Sequence, residues 1–319
     1  MLSLETLKPL ERSIMLDTRF ELTPTARFSV VCARDASAGD AFAARDAAAT
    51  AAALVLGSAS MSEKVRLTRK FAAASRSGSI APALREEAAE QGGDRRVSDF
   101  AAPARPPNLS ICPMSRVKQS GRKALIHSLV HAEAEAISLM WSLIAHFLPE
   151  LHAADVRDFV RDWTSIAEEE ALHFERWEAH LRRVCGGAYG DLPAHDGLWA
   201  SATDTRDSLL ARLAVVHLVH EARGLDVSPG LMRKLENGRD AEGLAILRAN
   251  LADEVGHVAC ALRWFRRLCA RRGVRDEVGE FHRLVASRFL GKLKPPFSTE
   301  LREQAGFGEE WYVPIASAT

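Results

Sequence analysis

The stretch EEEALHFERW, Glu168 to Trp177, sets acids and a histidine among large apolar side chains. On a helix that turns about 100° per residue, Glu170 and His173 share one face. Trp163 and Trp177, seven residues to either side of Glu170, stand on that same face, so both polar residues point into a core. The pattern recurs in DEVGHV, Asp253 to Val258, where Glu254 and His257 repeat the Glu-x-x-His spacing among Leu247, Leu251, Val258 and Ala261. One such pair is commonly a surface contact. Two copies on apolar faces call for another explanation.

The surrounding periodicity predicts long helices. Helix one covers residues 123–147, with Ile126, Val130, Ile137, Met140, Ile144 and Phe147 at heptad-like spacing and Pro149 beyond its end. Helix two covers 154–184 and stops at Gly186-Gly187. Helix three covers 207–223, and helix four runs from an Asp240 N-cap to Gly273. A further helix is expected over 277–290. Alternating β-branched runs are nearly absent, so the class is all-α, and the connection between helices two and three suits a long crossover. N-terminal to these helices, the Ala-rich run AFAARDAAATAAALVL and residues 62–74 read as helices on propensity and pattern. Residues 75–120 hold Pro82, Pro103, Pro106, Pro107 and Pro113 and read as an irregular connector draped over the later domain. The expected organisation is a poorly specified segment 1–60, a short helix with a Pro-rich connector 61–120, and one domain 121–319.

Helix three adds a third inward acid, Glu221, on the line of Leu210, Ala214 and His217. Helix one offers Glu133 and Glu135 in HAEAEA. Glu133 belongs to the apolar series, whereas Glu135 falls on a polar stripe with Ser128, His131, Ser138 and Ser142, so register selects Glu133. Four buried carboxylates cost several kcal/mol each if unpaired. Two divalent ions neutralise them, and a Glu from each of two helices plus Glu-x-x-His from each of the other two is the ligand pattern of dimetal-carboxylate bundles. The expected ligands are Glu133, Glu170, His173, Glu221, Glu254 and His257.

A metal-bound histidine normally gives its other N–H to a carboxylate. Glu169 and Asp253 each precede a Glu-x-x-His, and pseudo-two-fold symmetry assigns Asp253 to His173 and Glu169 to His257; the plain alternative leaves both acids facing solvent. His217 is open to three readings: a third histidine ligand, a substrate contact, or, the one favoured, a satisfied core histidine. Trp163, Trp177 and Trp264 read as core rather than as an electron relay. The two tyrosines, Tyr189 and Tyr312, lie off the core helices, which argues against a stored radical.

Charge and cysteine usage narrow the function. Lys+Arg and Asp+Glu balance at 42 each, so no global field recruits nucleic acid. The five cysteines lack any Cys-x-x-Cys spacing, which suits reduced thiols in a cytoplasm. No apolar run reaches the roughly 18 residues of a membrane span, and MLSLETLKPLERSIMLDTRF at the start is not a signal peptide.

The blocks HAEAEAISLMWSLIAHF, AEEEALHF, YGDLPAHDGLW, HEARGLDVSPG, DEVGHVACALRWF and KPPFSTELREQAGF resemble the bacterial ferritin-like proteins grouped as domain of unknown function 455, distantly related to diiron tRNA hydroxylases. The resemblance extends over residues 62–307 and maps a His-x-Glu of helix one onto His131 and Glu133. It implies a ferritin-like fold with a diiron centre, so the expected fold is a ferritin-like four-helix bundle to which the residue pattern adds N-terminal helices and a C-terminal helix. YGDLPAHDGLW lies on the crossover and reads either as a cover for the site or as a turn-rich connector pinned by aromatic packing.

The expected cofactor is two Fe ions, with Mn/Fe as the other pairing. The expected activity is oxidation or hydroxylation of a small organic substrate by dioxygen, with electrons from a separate donor. The alternatives are ferritin- or rubrerythrin-like iron handling or peroxide removal, and tRNA hydroxylation. Rubrerythrin's Cys-x-x-Cys domain is missing and ferritins are shorter chains, which favours the enzyme. The sequence shows no extended basic and aromatic surface for RNA.

Overall fold

The computed structural model describes residues 38–91, 102–117 and 120–317. The N-terminal stretch read for a signal peptide lies outside them, as does Cys32; Cys112, Cys185, Cys260 and Cys269 are free thiols. The described residues are all-α, with a single isolated bridge, Ile111 to Ala194, and no strand. Among the described residues, no helix is long and apolar enough to cross a membrane.

Helices α1 (Ala38–Gly57), α2 (Met61–Arg76) and α3 (Ile80–Gln91) precede the four long helices. Those are α4 (Arg122–Phe147), α5 (Ala153–Cys185), α7 and α8 (Ala241–Arg271), with α6 (Gly197–Asp204) inside the crossover. Helix α7 is composite: an α-turn Leu209–Arg212, a π-helical stretch Leu213–His220, and an α-helix Glu221–Asn237. Helix α9 (Glu277–Arg288) and the short α10 (Thr299–Gln304) and α11 (Glu309–Tyr312) close the chain.

Local chemistry sets most boundaries. Asp240 caps α8 by accepting from Gly243 N at 3.0 Å, and Gly186 ends α5 in the left-handed conformation at φ 57°. Helix α4 packs along α5, α7 along α8, and α8 also against α5, so the inward stripes of all four meet in one apolar core.

The structure departs from the sequence reading in the connector and in the length of α7. The connector contains a helix, α3, because Pro82 falls in its first turn, where the missing N–H has no intrahelical partner to lose. Its Glu87, fully buried, is held by Arg66 and by Lys70 at 2.6 Å. The Ala-rich run is helical as read, within α1, which packs on α4 and α5 through Ala48, Ala51, Ala52 and Val55. Helix α7 continues well past Arg223, through Gly224 and Pro229, to Asn237. Buried Leu225 and Leu235 and a buried Asp226–Arg302 pair (2.7 Å) supply tertiary packing that outweighs the two helix-weakening residues.

The polar stripe of α4 is not a wetted face. His131, Glu135, Ser138 and Ser142 are all buried, while Ser128 is exposed. Glu135 holds Arg105 with two bonds of 2.8 Å, and Arg105 also grips Asp196 of the crossover. His131 contacts the Tyr189 hydroxyl at 2.8 Å through Nδ1 and the His195 carbonyl at 2.9 Å through Nε2, and Gly190 N donates to His127 Nε2 at 3.0 Å. Tyr189 also packs edge-on against Phe174. The YGDLPAHDGLW loop is therefore pinned to the His127–His131 side of α4, about 120° to 160° around that helix from Glu133. It is a packed connector, not a cover over the inward acids.

Candidate metal centre

Each of the four long helices delivers its inward acid to one level of the core. Glu133 comes from α4, Glu170 and His173 from α5, Glu221 from α7, and Glu254 and His257 from α8. They form two groups in which one ligand atom per residue lies within 4.8 Å of all the others: Glu133, Glu170, His173 and Glu254, and Glu170, Glu221, Glu254 and His257. Among the described residues, no other His, Cys, Asp or Glu joins either group. Glu135 stays outside, engaged with Arg105.

Two residues belong to both groups, and their oxygens divide between them. His173 Nδ1 is 3.4 Å from Glu170 Oε2 and 3.4 Å from Glu254 Oε1. His257 Nδ1 is 3.2 Å from Glu170 Oε1 and 3.5 Å from Glu254 Oε2. Glu170 and Glu254 thus present one oxygen to each half, the disposition of bridging carboxylates. Glu133, 3.9 Å from His173 Nδ1, serves one half, and Glu221 the other.

The far sides of the imidazoles are engaged. His173 Nε2–H donates to Asp253 at 3.1 Å, and His257 Nε2–H donates to Glu169 at 2.8 Å, so each ring is oriented by the acid next to the opposite Glu-x-x-His. Ionised carboxylates only accept, so the Nε2 atoms carry the protons. In the neutral rings Nδ1 is then left as a lone pair facing the carboxylate oxygens.

The electrostatics show the strain of assembling these groups without a counter-charge. Glu133 and Glu221 are held well above the usual carboxylate range, by burial first and by neighbouring glutamates second. Glu170 is held below that range, because His257 and His173 outweigh the cost of burial; the same imidazoles lower Glu254. Against the pull of burial, Asp253, Glu170 and Glu254 raise His173, and Glu170, Glu169 and Glu254 raise His257.

Both Glu170 oxygens and both Nδ1 atoms are buried without a hydrogen-bond partner. Native proteins seldom leave such atoms orphaned. Four of them converging on one spot, oxygen and imidazole donors together, could hold a metal ion. These orphaned atoms, not the acidity of the cluster, are what make it a candidate metal site.

Of the remaining sequence candidates, the three tryptophans are core. His217 is wholly buried but lies in neither ligand group, and neither of its nitrogens has a hydrogen-bond partner. No protein group among the described residues pairs with either ring nitrogen. Sequence register placed it inward, but only the packing reveals that no neighbour answers it. His180 was not singled out in the sequence, and it ties α5 to the α8 cap through Asp240 at 2.9 Å.

The family described as "Protein of unknown function (DUF455)" matches residues 57–313. An "Uncharacterized protein" of Haemophilus influenzae is 35% identical over 208 residues, covering 62% of this chain and 71% of the relative. No solved structure matches the chain.

Proposed function

Since the chain belongs to the DUF455 family, whose description assigns no activity, we propose its function from the centre itself: a non-haem dimetal oxidoreductase, ferritin-like in its bundle, that uses dioxygen to oxidise or hydroxylate a small organic substrate. The observation that carries this reading is the sharing of Glu170 and Glu254 between two ligand groups whose imidazole Nδ1 atoms are unpartnered. Two irons bound there, or a manganese and an iron, would supply Lewis acidity and electrons for dioxygen reduction.

The protein's residues have separable tasks. Glu170 and Glu254 would hold both ions, and Glu133 and Glu221 would hold one each. Asp253 and Glu169 keep the imidazole tautomers that leave Nδ1 free to ligate. Six protein ligands would serve two ions, four residues on each because Glu170 and Glu254 count in both halves, which would leave positions open for an oxidant on six-coordinate ions.

Iron storage uses similar ligands and differs in stoichiometry. The deciding experiment adds ferrous iron in increasing excess to the purified protein under air. The enzyme reading expects uptake to stop at two irons per chain, a single round of oxygen consumption, and renewed consumption only after reduction. Continuous oxidation with tens of ferric ions retained per chain in a large assembly would replace it with storage, and a protein that takes up no metal would end both readings.

A further inference from the structure

The YGDLPAHDGLW loop, pinned to the outer side of α4, encloses a cavity of about 620 Å³. Its wall combines the N-terminal half of α4, loop residues 193–195 and the end of α7 at Lys234 and Leu235. Leu125, Ala194 and Leu235 make much of that wall apolar. A cavity of this size, apolar with a few placed polar groups, suits a small organic molecule. It lies on the His127–His131 side of α4, turned from Glu133, so it is separate from the metal centre.

One polar group on the wall is held ready for a ligand. Gly190 N donates to His127 Nε2 at 3.0 Å, and a nitrogen that accepts carries no proton. Burial, and then the neighbouring His131, lower the His127 pKa to about 4, so the ring is neutral at physiological pH and its proton sits on Nδ1. His127 is only 2% exposed, yet its Nδ1 is neither sealed nor hydrogen-bonded among the described residues, which leaves it as a donor on the cavity. A ring fixed by packing and by the loop backbone loses little freedom when it binds an acceptor.

Charge narrows the ligand further. Arg122 and Lys234 stand on the wall against Asp240. Arg122 is answered by Asp240 at 2.9 Å, whereas Lys234 makes no ion pair among the described residues, so one positive charge is in excess. The flexible four-carbon stem of Lys234 lets its ammonium move to an acceptor that His127 holds. A carboxylate brings one negative charge and two acceptor oxygens, one for each of these donors. A phosphate monoester brings about two charges, more than the wall balances.

We propose that this cavity binds a small organic carboxylate with an apolar body, His127 Nδ1–H donating to the carboxylate and Lys234 supplying its counter-charge. The site is distinct from the metal ligands and does not depend on the redox reading.

The test titrates 4-fluorobenzoate and 5-fluoropentanoate into the protein as purified and after chelator treatment. It follows the ¹⁹F signals and the His127 ring cross-peak, assigned by its loss in His127→Gln. The inference expects saturable binding of at least one carboxylate, equal in both preparations, with the His127 signal shifted, and weaker binding of the corresponding primary amide. In His127→Gln the side-chain oxygen still accepts from Gly190 N while the Nδ1 donor is gone. Affinity should then fall about ten- to a hundredfold, the fold-change of one hydrogen bond to a charged group. Lys234→Gln, at an exposed position, should cost about two- to fivefold and remove most of the salt dependence. No saturable binding of either carboxylate, undiminished affinity in His127→Gln, or an amide that binds as tightly would overturn it. Binding lost with the metal would overturn it too, by placing the carboxylate on the ions. Should His127→Gln not fold, unchanged affinity and salt dependence in Lys234→Gln would decide against it.

Discussion

Two glutamates two residues apart on α4 should give opposite phenotypes. Glu133→Gln and Glu135→Gln both keep side-chain volume and delete a charge. Glu133 belongs to the His173 half of the cluster and is repelled by Glu170 and Glu254 when no ion is present. Its neutral isostere should bind one metal per chain strongly instead of two, and should leave the metal-free protein as stable as before or slightly more so. Glu135 is 3% exposed at its side chain and holds Arg105, itself 15% exposed, through two bonds of 2.8 Å. Removing one member of a buried pair costs about 3–5 kcal/mol, and because Arg105 keeps Asp196 the low end applies, about 3 kcal/mol. For a chain of this size that is a fall in melting temperature of about 5 °C. The assay is a thermal melt of the metal-free variants beside metal content after reloading. Full metal retention in Glu133→Gln, or metal loss with unchanged stability in Glu135→Gln, would refute the assignment of helix faces.

The shared carboxylates predict a different pattern: Glu170→Ala should abolish both metals while helicity by circular dichroism persists, and retention of one tight ion would show that Glu170 does not bridge. Asp253→Asn and Glu169→Gln should each weaken metal affinity about 10- to 100-fold, on the His173 and His257 halves respectively, measured by competition with a chelator. Metal uptake should release protons and weaken as pH falls. Glu133, Glu221, His173 and His257 all have raised pKa values in the metal-free fold, so each holds its proton to higher pH than usual and an incoming ion must displace it. An affinity independent of pH between 5 and 8 would contradict that order. Asp226→Ala should cost about 3–5 kcal/mol by stranding the buried Arg302, read by chemical denaturation.

What could be read from the sequence was periodic. Helix faces follow from residue spacing alone, so the inward direction of Glu133, Glu170, His173, Glu221, Glu254 and His257, and the all-α class, were legible before any coordinates. The exchange of Asp253 and Glu169 between the two histidines was also within reach, because pseudo-symmetric helix pairs constrain which acid can reach which ring. Other properties depend on partners far apart in the chain. Whether Glu135 meets water or Arg105 is decided by a connector 30 residues away, and no helical period encodes that. The persistence of α7 through Gly224 and Pro229 is likewise a tertiary result, since Leu225, Leu235 and the Asp226–Arg302 pair outweigh weak local propensity. The division of the Glu170 and Glu254 oxygens between two halves is a matter of ångström-scale convergence from separate helices. So is the solitude of His217, because a missing partner exists only once every neighbour is in place. Spacing along one helix determines direction; only packing between helices decides what each side chain finds there.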